Sequence, residues 1–173
     1  MGSERKGTAC IKRPMAKTVK VFFDSNVILS GLLSDKGAPR IILDLLTLKL
    51  PALCGATGRY NLMEIERNLE KKMPAIIPIY RKYMPLLDLE IVPLPSHETI
   101  KRISGQIADK DIPVLASTIS CNADYLVTGD KKDFARSKGS GKYPFQIVSP
   151  SEFLEKVLEE ILLVGSSKQK KLS

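Results

Sequence analysis

From Val19 onward, short runs of β-branched and aromatic residues alternate with longer stretches of helical period, the pattern of a parallel sheet wrapped by helices. Strands in such a sheet are buried on both faces, so they read as near-continuous apolar runs. The spacing predicts strands over Val19–Phe23, Ala52–Gly55, Glu90–Val92, Tyr125–Thr128 and Phe145–Val148. It predicts helices over Val27–Leu33, Pro39–Leu48, Gly58–Lys72, Ser96–Ile107 and Ile112–Cys121, with Ser96 as an N-cap. Pro74, Pro78 and Pro85 punctuate a broken helical stretch. Ser149-Pro150 opens a last helix whose Phe153, Val157, Leu158, Ile161 and Leu162 share one face, as core residues do. The expected fold class is α/β: a three-layer α/β/α sandwich around a central parallel sheet of about five strands.

A chain of 173 residues with 43% hydrophobic content supports one full-sized core. No apolar run approaches the roughly 18 residues of a membrane span, so no membrane partner is expected. Cys10, Cys54 and Cys121 form no CxxC pair, which excludes a zinc ribbon and a disulfide scaffold, and scattered thiols point to the reducing cytoplasm. The single histidine, His97, allows neither a pair of catalytic imidazoles nor a histidine-rich metal cage. The net charge of +8 invites a nucleic-acid reading, but its location qualifies it. Residues 1–20 hold six basic residues and one acid, and residues 165–173 hold three lysines and no acid. Between them the charges balance. The chain therefore reads as a basic N-terminal tail over 1–18, one domain over 19–164 and a basic C-terminal tail over 165–173.

In open parallel sheets, ligands bind beyond the carboxyl ends of the strands. Asp24 follows Val21-Phe22-Phe23 directly, and Asp130 follows Tyr125-Leu126-Val127-Thr128 with one glycine between. A ten-residue helix returns about 15 Å and a five-residue strand advances about 17 Å, so the two nearly cancel. Asp111, opening the Ile112–Cys121 helix, is thus expected near Asp130 although nineteen positions separate them. Three carboxylates then converge on one edge. Packed acids repel unless a cation neutralises them, and Mg²⁺ or Mn²⁺ accepts oxygen ligands while keeping several waters. Such a site suits phosphodiester hydrolysis, in which the cation activates water and no protein nucleophile is needed.

Three segments resemble the PIN-domain ribonucleases: Val21-Phe22-Phe23-Asp24-Ser25-Asn26-Val27, then Asp111-Ile112-Pro113-Val114-Leu115-Ala116, then Ala123-Asp124-Tyr125-Leu126-Val127-Thr128-Gly129-Asp130-Lys131-Lys132-Asp133-Phe134. The order and spacing of all three carry the likeness, which runs over about Val19 to Leu163. The resemblance implies a Mg²⁺- or Mn²⁺-dependent endoribonuclease acting on single-stranded or structured RNA, and often a homodimer. Many bacterial and archaeal members are the toxin half of a toxin-antitoxin pair, so it also implies an antitoxin protein as a partner. Carried over by position, Asp24, Asp111 and Asp130 match the first, third and fourth metal-site acids, and Asp133 an accessory acid. The segment Leu62-Met63-Glu64-Ile65-Glu66-Arg67-Asn68-Leu69 resembles the glutamate-bearing helix and favours Glu64 as the second acid, with Glu66 as its rival.

Each assignment has a plainer reading. Asp24 and Asp111 stand where helix caps stand, and Asp109 competes with Asp111 from two residues away. Asn26 and Thr128 read as supports for the site carboxylates rather than ligands, and Thr128 reads equally as a sheet residue. Lys131, Lys132 and Arg136 lie beside the metal edge and are expected to contact RNA phosphates, or else to form a charged loop opposed by Asp133 alone. A phosphatase of the haloacid-dehalogenase type needs a second aspartate where Asn26 stands. The remaining alternative is a catalytically weak PIN-like module that binds RNA or protein.

Overall fold

The computed structural model describes residues 18–104, 109–136 and 143–169. Five parallel strands form one sheet: β1 (Val19–Phe23), β2 (Leu53–Gly58), β3 (Glu90–Val92), β4 (Tyr125–Val127) and β5 (Gln146–Val148), in the order β3-β2-β1-β4-β5. The helices are α1 (Ser25–Leu33), α2 (Ala38–Thr47), α3 (Arg59–Lys72), α4 (Ile77–Tyr83), α5 (His97–Ile103), α6 (Ile112–Ser120) and α7 (Lys131–Arg136). The carboxyl-terminal run comprises α8 (Pro150–Glu152), a π-helical stretch Phe153–Val157 and α9 (Leu158–Gln169). The expected three-layer α/β arrangement is therefore present, with its five strands in the expected order along the chain.

Alternating residues of β1 supply both cores. Val19, Val21 and Phe23 pack into one cluster with Val27, Ile28, Ile42, Leu43, Ile65, Leu69 and Phe153. Phe22 points the other way, toward Ile103, Ile112, Leu115, Leu126 and Phe145. Period-two side-chain alternation on a strand covered on both faces produces this division. One helix layer is thus α1, α2, α3 and the carboxyl-terminal run, and the other is α5, α6 and α7.

The departures from the sequence reading have local causes. β2 runs three residues past Gly55, because its small residues Ala56, Thr57 and Gly58 are buried beside β1 and β3. The proline-rich segment forms 3₁₀ turns at Pro74–Ile76 and Met84–Leu87 around α4, as missing N–H groups and fixed φ angles favour. Ser96 caps α5 by accepting from the Thr99 N–H at 3.2 Å; the expected extension to Ile107 falls on residues outside those described. α9 continues to Gln169, into the segment read as a tail. Cys121 is a buried free thiol but Cys54 is disulfide-bonded, so the reading of scattered thiols is corrected at Cys54.

Phe153 ties the carboxyl-terminal run to the strand that presents Asp24. It is fully buried and meets Phe23 edge-to-face, with ring centroids 5.7 Å apart. Phe153→Ala is expected to cost about 3–5 kcal/mol in urea unfolding, from lost burial plus the cavity left behind. A loss below about 1 kcal/mol would show that this contact does not brace β1.

Candidate active site

The strand order reverses its direction of growth between β1 and β4, and the crevice outside their carboxyl ends is the switch point where ligands bind in such sheets. Phe23 pairs with Val127, so the residues that follow each strand meet across that crevice. The Asp24 N–H continues the ladder by donating to the Val127 carbonyl at 3.0 Å.

Asp24 is 5% exposed, and its carboxylate is surrounded by donors. Oδ1 accepts from the Ser25 N–H at 2.8 Å and from Asn61 Nδ2 at 3.0 Å. Oδ2 accepts from Thr128 Oγ1 at 2.8 Å and, more weakly, from Asn26 Nδ2 at 3.4 Å. Asp24 is the N-cap of α1, as its plainer reading has it, and the same carboxylate also collects donors from α3 and from the residue after β4. Burial outweighs the donors and, with a smaller push from Glu64, lifts its carboxyl from the ordinary 3.8 to about 6.

Glu64 and Asp130 attach to this centre through hydroxyl and amide donors. The Ser25 hydroxyl donates to Glu64 Oε2 at 2.6 Å and lies 3.3 Å from Asp24 Oδ1, which links the two acids. Glu66 instead accepts from the Tyr80 hydroxyl at 3.1 Å, so of the two rival glutamates it is Glu64 that stands beside Asp24. Asn26 spans the crevice: its Nδ2 donates to Asp130 Oδ2 at 2.9 Å, and its Oδ1 accepts from the Gly129 N–H at 3.0 Å. Thr128 is fully buried and does more than fill the sheet, because its hydroxyl also accepts from the Asp130 N–H at 3.1 Å. Asp111 is 8% exposed at the N-cap position of α6, yet its side chain makes no capping bond. It acts on Tyr60, whose phenol is pushed up first by burial, then by Glu64, with Asp24 and Asp111 adding to it and Arg67 opposing. Asp109 is exposed.

The basic flank departs from expectation in one respect. Lys131 Nζ lies 2.6 and 2.7 Å from the two carboxylate oxygens of Glu152, so this segment is opposed by an acid from outside it. Glu152 stands twenty-one positions away, beyond the reach of local charge counting. That ion pair holds the Glu152 carboxyl below the usual range. Lys132 is exposed, and the side chains of Asp133 and Arg136 lie outside those described.

Among the described residues, no group of three or more acids, histidines or cysteines closes on one point tightly enough to hold an ion by itself. The donor set nevertheless fits Mg²⁺ or Mn²⁺ in kind. Its oxygens are hard carboxylates, and such cations keep several waters and bind through one or two carboxylates. Asp24 is also a buried acid that a cation would stabilise in its ionised form.

Residues 20–132 match the sequence profile of the PIN domain. The chain belongs to the PIN domain family. Its members are generally nucleases that depend on divalent metal. The fold is similar to a chain in the crystal structure of VapBC2 from Rickettsia felis bound to a DNA fragment from their promoter. That similarity has a TM-score of 0.58 at 17% identity and covers 76% of this chain and 98% of the other. No curated protein sequence matches.

Two residues of this PIN domain's site escaped the sequence reading. Ser25 was visible as the middle of Asp24-Ser25-Asn26, but its bond to Glu64 needs α3 folded against α1. Asn61 lies three positions before Glu64, a spacing that puts both on one helix face, and a buried asparagine within a helix is a signal that its amide is occupied.

An acid whose folded pKa exceeds its unfolded value binds protons more readily in the native state, so stability falls as pH rises through that window. In metal-free protein, Asp24 is expected to remove up to about 3 kcal/mol between about pH 4 and pH 6. The difference in unfolding free energy between Asp24→Asn and wild type should therefore move in favour of the variant over that window. A pH-independent difference would show that Asp24 carries no such shift.

Proposed function

We propose that this PIN domain is a Mg²⁺- or Mn²⁺-dependent endoribonuclease that hydrolyses phosphodiester bonds of single-stranded or structured cytoplasmic RNA. The observation that carries the reading is the hydrogen-bonded grouping of Asp24, Glu64 and Asp130 through Ser25, Asn26 and Thr128 at the β1/β4 switch point. Asp24, Glu64, Asp111 and Asp130 are the proposed metal-facing and catalytic acids, with Asp133 accessory. When bound, the cation supplies Lewis acidity toward water and offsets charge developing on the phosphate.

The chain's own residues supply the rest. Asp24 and Glu64 are oriented by the Ser25 hydroxyl, and Asp24 and Asp130 by the Asn26 amide, so the acids are set before substrate arrives. Thr128 aims Asp24 Oδ2 and anchors the Asp130 backbone. Lys132 and Arg136 are the proposed contacts to the phosphate backbone, and Lys131 would join them at the cost of its pair with Glu152. Hydrolysis forms a bond from water oxygen to phosphorus, breaks the bond to the leaving ribose oxygen, and ends with the water proton on that oxygen.

The similarity in fold to a chain of a VapBC2 complex supports, as part of the same proposal, a toxin role with an antitoxin protein as partner; the homodimer that the PIN resemblance implies is proposed with it. A second reading, a weakly catalytic module that binds RNA or protein, is favoured by the lack of three acids closing on one point among the described residues.

Time-resolved cleavage of a mixed-sequence RNA in Mg²⁺, Mn²⁺ or EDTA separates the two. Metal-dependent cuts are expected, with at least a hundredfold loss in both Asp24→Asn and Asp111→Asn. Cleavage that survives in folded Asp111→Asn protein would sink the nuclease assignment. RNA binding without cleavage in Mn²⁺ would establish the binding module.

A further inference from the structure

Gly58 closes β2 and caps α3 with φ −90° and ψ 151°, a backbone conformation open to any residue. Contact, not conformation, requires glycine there. A Cβ on Gly58 would lie 2.6 Å from Asn61 Oδ1 and 3.3 Å from both Phe22 Cζ and Ser117 Oγ. Asn61 is 0% exposed, and among the described residues its Oδ1 has no hydrogen-bond partner. An interior carbonyl oxygen left in that state costs free energy, so the orientation of this amide must be set by its other end. That other end is Nδ2, which donates to Asp24 Oδ1 at 3.0 Å.

We propose that Asn61 is a positioning residue for the metal-facing acids, and that Gly58 lacks a side chain so that the Asn61 amide can seat. The inference rests on the reading of Asp24 and Glu64 as cation-facing acids and goes beyond it by naming what holds them in register. Asn61 and Glu64 stand three positions apart on α3, so one amide bond to Asp24 fixes both the carboxylate at the end of β1 and the helix that carries the second acid. The Ser25 hydroxyl, bonded to Glu64, closes the same ring from α1. A side chain on Gly58 would meet the Asn61 carbonyl first, and displace through it the Nδ2 that serves Asp24. Ser117, on the helix that Asp111 opens, also closes on that Cβ position at 3.3 Å, so the added methyl is crowded from a second element.

The test is a double-mutant cycle on the full chain, with Mn²⁺ alone as the probe, titrated by calorimetry at constant pH after thermal unfolding has shown each variant folded. Gly58→Ala and Asn61→Ala should each weaken Mn²⁺ binding about tenfold. The double variant should bind no more weakly than Asn61→Ala, because the added methyl then has no amide to displace. A second readout needs no metal: one Asn61 side-chain amide proton should exchange slowly with water in the wild-type NMR spectrum and rapidly in Gly58→Ala. Wild-type and variant chains that bind Mn²⁺ alike, losses that simply add, or fast exchange of both Asn61 protons in the wild type would each overturn the inference while leaving the nuclease reading standing. A wild-type chain that binds no Mn²⁺ would overturn both, which sets that failure apart from the others.

Discussion

A carboxylate buried at the end of the central strand must be solvated by something other than water. Asp24 meets this requirement with a ring of donors from four places in the chain: the Ser25 backbone, Asn26 on α1, Asn61 on α3 and Thr128 after β4. Each donor is itself held by a packed element, so the ring forms only when β1, β4, α1 and α3 are all in place. The donors do not fully replace water, and the carboxyl stays harder to ionise than a free one. A positive charge placed beside it would offset that deficit.

The second feature of the site is that its acids are cross-linked by neutral side chains. Ser25 stands between Asp24 and Glu64, and Asn26 between Asp24 and Asp130. Like charges so close would repel, and a hydroxyl or amide placed between them offsets part of that cost while fixing their separation. The arrangement suits a cation that retains water, because its ligands need be held near rather than in direct contact with one another. The Lys131–Glu152 pair secures the flank in another way, tying the residue after Asp130 to the start of the carboxyl-terminal helical run.

Most of the fold and part of the site were legible in the sequence. Strands buried on both faces leave continuous apolar runs, and residues placed just past β1 and β4 fall at one edge of a parallel sheet whatever the intervening helices do. Asp24 and Asp130 could therefore be singled out from position alone. Glu64 and Glu66 could not be separated that way, since helix pitch places the two on different faces but does not say which face meets α1. The structure gives the answer as two hydrogen bonds, Ser25 to Glu64 and Tyr80 to Glu66.

Local spacing, hydrophobic period and turn chemistry by themselves determined the α/β class, the number of strands and the position of Asp24 and Asp130 just past β1 and β4, because these are set by the order of near neighbours in the chain. The strand order β3-β2-β1-β4-β5, the pairing of Lys131 with Glu152, the service of Asn61 to Asp24 and the need for a bare Gly58 were decided only by tertiary structure. They arise from side chains tens of positions apart meeting in space, where packing volume and the solvation of one buried carboxylate, rather than sequence period, set what fits.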